Sequence, residues 1–427
     1  MRVPRPRYLT SSRFLVPVFS FGHYSQSRPQ LLLCDLMGHC GPRRRLKPIA
    51  FDCFAGCGGM TQGFKDAGYR VVGAIENDPV ACGVYRANHR RVHLWPVDVR
   101  NVSARVVLKK LKLNVGDLDL LGGCPPCQGF STLRTYNGRR SVRDAQNDLI
   151  FEFQRLVLGL KPKTVMLENV PALLTNSRLT RFKTALRRAG YTIKVDILNA
   201  VDYGVPQRRR RVVLLASRVS TEVDFADALP RRRTVRHAIG RLTEPGRSRD
   251  PVHNLPENRA ARVVEMIRAV PKDGGSRKEL PARLRLRCHK NSDGFRDVYG
   301  RMAWDKAAPT ITTGCFNPSK GRFLHPAQHR TITMREAALL QTFPKTYKFP
   351  VKYGKVRLAT MIGNALPPAF IKHHAVRLLR LHATSSNAAK SPIRSRTRTR
   401  ISPLGIELAA TTQLARRARA SCATGTA

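Results

Sequence analysis

Between Ile49 and Ser217 short apolar runs alternate with longer amphipathic stretches, and this rhythm constrains the chain more than any other feature. A buried strand reads as a short continuous apolar run, whereas a helix lying on a sheet carries an apolar stripe with a period near 3.6. Strands are expected at Ile49–Phe54, Val71–Ile75, Leu118–Leu121, Val165–Leu167 and Val212–Ala216. The clearest helix follows Asp148, where Leu149, Ile150, Phe153, Leu156, Val157 and Leu160 fall on one face before Gly159 and Pro162 punctuate its end. The pattern predicts an α/β fold, a parallel sheet wrapped by helices.

The rhythm is lost between about Arg218 and Ala308, a stretch rich in Arg, Pro and Gly, which reads as a separate small domain. A helical pattern resumes from Arg335 through Leu340, and a last helix is expected after Gly363 toward Leu381, so the chain returns to the large domain. The divisions are 1–47, an unstructured basic extension; 48–225, the main domain; 226–325, the small one; 326–382, the return; and 383–427, a basic tail. The extension is Arg- and Ser-rich with no acid before Asp35, a composition that organellar transit peptides share. In the tail Arg394, Arg396, Arg398 and Arg400 alternate with Ser and Thr, which predicts disorder.

The chain carries 77 Lys+Arg against 28 Asp+Glu, a net charge of +49. The two tails supply +8 and +7 of it, so the folded body keeps about +34 and is itself suited to a polyanion. Ten cysteines scattered over 427 residues predict reduced thiols in a cytoplasmic setting rather than a disulfide framework. No apolar stretch approaches the roughly 18 residues of a membrane span, so a soluble protein is expected.

Phe51-Asp52-Cys53-Phe54-Ala55-Gly56-Cys57-Gly58-Gly59 follows a strand and opens a helix, with glycines where the backbone must turn tightly beside a ligand. Thr61 stands where a dinucleotide fingerprint needs its third glycine, so a cofactor without a pyrophosphate, such as S-adenosylmethionine, fits better. Glu76, 20 residues after Gly56 and just past a strand, can accept from both ribose hydroxyls, and Asp98 from an adenine amino group.

Gly122-Gly123-Cys124-Pro125-Pro126-Cys127-Gln128 follows the strand Leu118–Leu121, and Glu168-Asn169-Val170 follows Val165–Leu167, so both lie at one carboxyl edge of the sheet. Cys124 and Cys127 also fit a Cys-x-x-Cys redox or metal pair, although no further ligands at zinc spacing are evident. A thiolate that attacks carbon 6 of cytosine needs an acid to relieve charge on ring nitrogen 3, and Cys127 and Glu168 are the right types.

The order of blocks resembles the cytosine-5 DNA methyltransferase family. Phe54-Ala55-Gly56 with Gly58-Gly59, Pro126-Cys127-Gln128, Glu168-Asn169-Val170, Gln207-Arg208-Arg209-Arg210-Arg211, Arg335-Glu336 through Gln341-Thr342-Phe343-Pro344, and Gly363-Asn364-Ala365-Leu366-Pro367-Pro368 carry it. The resemblance implies a Rossmann-like class I methyltransferase sheet with a second, smaller target-recognition domain. It implies a methyl transfer from S-adenosylmethionine to carbon 5 of a flipped cytosine through a covalent Cys127 adduct. Phe54, Gly56, Gly58, Gly59, Glu76, Asn77, Asp98, Val99, Pro126, Leu149 and Asn364 fall on cofactor positions. Arg209 and Arg211 fall on the pair that orients the base beside Cys127 and Glu168. Gln128, Ser131, Arg134, Arg139, Arg140 and Gln207 are the expected DNA contacts, and Arg134, Arg139, Arg140 and Arg143 lie in a polar loop between Ser131 and Asp148 able to close over the duplex. Cys124 stands where the family often has glycine.

The expected partner is double-stranded DNA, with a cognate restriction or mismatch-repair endonuclease, no membrane and no metal, and the chain is expected to act as a nucleoid-associated monomer. The same pocket chemistry would serve cytosine in RNA, and a non-catalytic DNA-binding protein on the same scaffold is the alternative of another class.

Overall fold

The computed structural model describes residues 47–126, 148–286 and 297–388, with side chains to 382. Among them seven strands form one sheet in the order β3-β2-β1-β4-β5-β7-β6. These are β1 (Ile49–Cys53), β2 (Arg70–Ile75), β3 (His93–Trp95), β4 (Leu120–Gly123), β5 (Thr164–Asn169), β6 (Thr192–Asn199) and β7 (Arg210–Ser217). Every residue of β1, β4 and β5 is buried, as strands covered by helices on both faces must be.

The five strands expected from apolar runs are present, and two more are added. β3 has only three residues. β6 is an edge strand with no continuous apolar run: Ile193, Val195 and Ile197 pack on the core while Lys194 and Asp196 point outward. The expectation of a wholly parallel sheet needs correction, because β7 runs antiparallel to both β5 and β6. The reason is the link between β6 and β7, residues 200–209, which holds one 3-10 turn (Ala200–Tyr203) and no helix. A parallel return needs a crossover of a dozen or more residues.

The helix Leu149–Leu160 buries all six residues of its predicted stripe, and Ser177–Arg188 packs beside it through Leu179, Phe182 and Leu186. On the opposite face Gly59–Asp66 lies against the last helix, Pro368–Ala388, where Gly63 approaches Ile371 so closely that a Cβ would clash. The helix expected to begin after Gly363 begins at Pro368; the glycine instead closes another helix, Gly354–Asn364.

The described chain from Lys47 onward belongs to one compact unit. Residues 226–325 contribute to it in two ways. Met266, Ile267, Val270, Leu280, Leu284, Val298, Tyr299 and Leu324 form a small core of their own. Val235, Ile239, Val252, Met302, Ala308, Ile311 and Cys315 join a core shared with Cys57, Ala81, Val84 and the helices Met334–Leu340 and Gly354–Asn364. Arg301 braces the small core, fully buried and donating to the carbonyls of Ile267, Val270, Pro271, His325 and Gln328.

Candidate active site

The strand order reverses between β1 and β4, where the chain leaves one strand for one side of the sheet and the next for the other. Ligands of open α/β sheets bind at the carboxyl ends of strands flanking such a point. The loop after β1 runs through Phe54, Gly56 and Gly58, all at positive φ (60°, 54° and 95°). Two contacts hold it open: Ala55 N donates to Ile75 O at 3.0 Å and Gly58 N to Ala55 O at 2.8 Å. A Cβ at Gly58 would stand 2.5 Å from Nε2 of His89, whereas the corresponding space at Gly56 holds no atom within 4 Å.

Glu76, at the end of β2, turns its carboxylate onto this loop. Oε2 accepts from Gly56 N at 2.7 Å, and Oε1 from Asn77 N and Asp78 N at 2.9 and 2.8 Å. Asp98 lies beyond β3, half-buried, accepting from Arg100 N, with buried Val99 next to it. Leu149 is buried at the start of its helix, and Gly59 packs against the carbonyl of Leu366, two residues past exposed Asn364. A carboxylate set beside a positive-φ turn with unfilled space at Gly56 fits the ribose and adjoining chain of an adenosyl cofactor.

Below the loop lies a network that the sequence did not single out. Asp52 is fully buried; Thr61 Oγ1 donates to its Oδ2 at 2.6 Å and accepts in turn from Tyr85 at 2.8 Å, while Oδ1 has no partner. Burial pushes its carboxyl up to about 7. Nearby, Lys65 donates to Nδ1 of His89 at 2.9 Å, so His89 donates from Nε2 to Tyr347 Oη at 2.9 Å and Tyr347 donates to Cys57 O at 2.5 Å. Burial, with Lys65 second, pushes His89 down to about 3, consistent with a neutral ring.

Glu168 is 2 % exposed at the end of β5. Because β7 is antiparallel, its first residues lie beside the last of β5, with Asn169 opposite Val212. Arg211 therefore reaches Glu168, its Nε 3.0 Å from Oε1. The angle falls short of a hydrogen bond, so the contact is an ion pair, and among the described residues Oε1 has no hydrogen-bond donor. On the other side Cys124 Sγ donates to Oε2 at 2.9 Å. Asn169 donates to Pro125 O at 3.0 Å and Cys124 N to Cys53 O at 3.3 Å, which fastens the segment ending at Pro126 to β5 and β1. Burial, then the charge of Glu168, pushes the Cys124 thiol well above its ordinary range, so it keeps its proton.

The arginines leading into β7 alternate as an extended chain requires: Arg208 and Arg210 are exposed, Arg209 buried and Arg211 half-buried. Arg209 donates from Nη1 to Ile311 O and from both Nη atoms to Gly363 O, each at 3.1 Å. Burial and then Arg211 hold it down to about 9, still a cation at neutral pH. Gln207, expected at the DNA, is fully buried; its amide donates to Leu340 O and Gln341 Oε1 and accepts from Ile311 N. The structure does not bring it to the surface, because the residues around it pair with Ala308. Cys127, Gln128, Ser131, Arg134, Arg139 and Arg140 lie outside the described residues.

A mixed sheet of this order with one antiparallel strand, and a glycine loop, carboxylate and arginine converging on its edge, define an α/β methyltransferase. The family model for C-5 cytosine-specific DNA methylases matches residues 50–380. The chain belongs to that family and is a DNA cytosine-5 methyltransferase. It is 35% identical over 339 residues to the Type II methylase M.HgiDII of Herpetosiphon aurantiacus, covering 74% of this chain and 91% of that one. It is 33% identical over 337 residues to the Type II methyltransferase M1.HphI of Haemophilus parahaemolyticus, covering 78% and 86%. Among solved structures, a protein described as a DNA modification methyltransferase encoded within an E. coli prophage superposes with a TM-score of 0.61 at 24% identity, over 79% of this chain and 99% of that one, and shares the fold. Among the described residues no helix is long and apolar enough to cross a membrane.

Proposed function

We propose that this methyltransferase moves the methyl group of S-adenosylmethionine to carbon 5 of a cytosine swung out of duplex DNA, through a covalent adduct at Cys127. The observation that carries this reading is the meeting of Glu168, Arg211 and the Cys124–Pro126 segment beside the Phe54–Gly58 turn.

When bound, S-adenosylmethionine supplies an electrophilic methyl group. Glu76 would hold its ribose and Asp98 its adenine, with Phe54, Pro126 and Leu149 lining the site. Leaving the helix costs the base a few kcal/mol of stacking, offset by basic residues of this +49 chain. Cys127 adds to carbon 6 as Glu168 protonates ring nitrogen 3, with Arg211 holding the carboxylate in place. Carbon 5 of the adduct is where the bound cofactor would deliver its methyl group, with the neutral thioether as leaving group, and loss of the carbon 5 proton to solvent then expels the Cys127 thiolate. Arg209 and Arg211 are the pair that orients the base, Arg209 from a buried position braced on Ile311 O and Gly363 O. Residues 226–325 form the target-recognition domain, whose Arg, Lys, Asn and His side chains read base edges. Relatives named as Type II methyltransferases support a place beside a restriction endonuclease.

The test is tritium transfer from labelled S-adenosylmethionine to unmethylated genomic DNA and, in parallel, to cellular RNA. Label recovered from DNA as 5-methylcytosine is expected. Label in RNA alone, or in neither, overturns the reading.

A further inference from the structure

The thiol of Cys124 stands 2.9 Å from Oε2 of Glu168, while Oε1 is ion-paired with Arg211 and, among the described residues, has no hydrogen-bond donor. The two oxygens of this buried carboxylate are therefore not equivalent. One is occupied by a proton donor held on the sheet, since the Cys124 backbone is itself tied to Cys53 O. A carboxylic acid whose proton is to be delivered needs the opposite condition at the delivering oxygen. A donor already aimed there would compete with the acidic proton for the same site.

We propose that Cys124 is a positioning residue of the methyl transfer: its S–H occupies Oε2 of Glu168 and leaves Oε1 as the oxygen that carries the acidic proton to cytosine. The ion-paired carboxylate takes up a proton from solvent on Oε1 when the base binds, and as the nucleophile's bond to carbon 6 forms that proton passes to ring nitrogen 3. It returns to Oε1 when the adduct collapses and the thiolate leaves, and to solvent as the base departs, so Glu168 ends as it began and Cys124 never gives up its own proton. Burial fits this division of labour, because it keeps the Cys124 thiol protonated. A side chain without a donor at this place would leave both oxygens without a neutral donor and the acid free to present either. The inference rests on the reading of Glu168 as the acid.

The experiment compares Cys124→Ala, Cys124→Gly and Cys124→Ser, with Glu168→Gln alone and combined with Cys124→Ala. Methyl transfer to unmethylated bacterial genomic DNA is measured at saturating and limiting S-adenosylmethionine and DNA. Cys124→Ala and Cys124→Gly should lower kcat about tenfold, the value of one hydrogen bond to a charged group, with KM for both substrates within about twofold. Cys124→Ser, which keeps a donor, should recover kcat to within about threefold of the wild type. In the Glu168→Gln background Cys124→Ala should cost no further rate, because the two residues act as one unit. Equal loss in the Ala and Ser variants, an unchanged kcat in Ala and Gly, or the same loss in both backgrounds overturns the proposal. A wild-type rate in Glu168→Gln alone instead overturns the acid reading beneath it, so the two failures are distinguishable. Thermal unfolding of each variant identifies one that has lost its fold, and the Ala and Gly variants then serve for each other.

Discussion

Arg209 and Gly363 are 154 residues apart, yet both Nη atoms of the arginine donate to the single carbonyl oxygen of the glycine at 3.1 Å. These bonds tie the residue just before β7 to the end of the helix Gly354–Asn364, and a further one to Ile311 O fastens the segment between them. Arg209 thus joins three stretches that meet only in the folded state. Its Nε is buried without a partner, and its charge has no carboxylate in hydrogen-bond contact, so the two carbonyls carry most of its satisfaction.

Replacing Arg209 by Met should therefore leave two buried carbonyl oxygens without donors and cost about 2–4 kcal/mol of stability. Arg209→Lys should fall between, because an ammonium cannot span both oxygens with the geometry of a planar fork. Urea unfolding of the three proteins checks this; coincident midpoints would remove the bracing role.

The loop at Gly58 gives a second, sharper expectation. Its φ of 95° is strained for any residue with a Cβ, and that atom would meet His89 Nε2 at 2.5 Å and Tyr347 Oη at 2.6 Å. Both neighbours are fixed in the chain from Lys65 to Cys57 O, so neither can withdraw cheaply. Gly58→Ala should cost on the order of 1–3 kcal/mol in stability and weaken S-adenosylmethionine binding, read by calorimetric titration. Gly56→Ala meets no atom within 4 Å and carries only its φ of 54°, so its stability loss should be the smaller.

Acid should destabilise the fold through its buried histidines. Burial holds His89 and His374 down to about 3 and His325 to about 4. Their folded values lie below the unfolded value of 6.5, so their contribution is complete above 6.5 and is lost as pH falls toward 3. Asp52 works the other way: raised from 3.8 to about 7, its contribution is present below 3.8 and is lost as pH rises through 7. Between these limits, for these four groups, the unfolded state binds three extra protons and the native state a single extra proton. The net of two makes stability fall by roughly 2–3 kcal/mol per pH unit of acidification. Denaturation at pH 6, 5 and 4 measures the slope, and a stability that is level or rises toward acid contradicts it. Asp52→Asn should steepen it.

These features differ in how far the sequence alone could show them. The glycine loop, Glu76 and Glu168 were legible because each follows a strand of continuous apolar residues, which fixes both the strand and the edge on which its loop emerges. Edge strand β6 was not, since Ile193, Val195 and Ile197 are separated by Lys194 and Asp196 and only half of its surface is buried. The place of Gln207 was hidden for another reason. A polar residue in a block of arginines reads as a surface group, and only the partners Leu340, Gln341 and Ile311, more than 100 residues away, turn it inward. Tyr347 had one signal, its position three residues after the Phe343-Pro344 pair, but its partner Cys57 O is 290 residues away in sequence. Cys124 and Cys127 are alike in type, and the Pro126-Cys127-Gln128 block pointed to Cys127. The contact of Cys124 to Glu168 agrees with that choice, because a thiol that burial and a neighbouring carboxylate keep protonated is a poor nucleophile.

That distinction leads to the last prediction. If Cys127 is the nucleophile, Cys127→Ala should abolish methyl transfer, because no residual route supplies a covalent bond at carbon 6 and Cys124 cannot take its place. S-Adenosylmethionine binding should stay within about threefold of the wild type, because a thiol that acts on the base contributes to the transition state and not to cofactor affinity. Glu168→Gln should slow transfer by about 10²-fold or more with a modest change in DNA affinity, since the amide keeps the shape but has no proton to give. Arg211→Ala should resemble it, having left a carboxylate 2 % exposed without its cation. Single-turnover rates beside binding titrations separate these effects. Methyl transfer in Cys127→Ala at a rate near the wild type would return the nucleophile to Cys124, and with it the meaning of the 2.9 Å contact to Glu168.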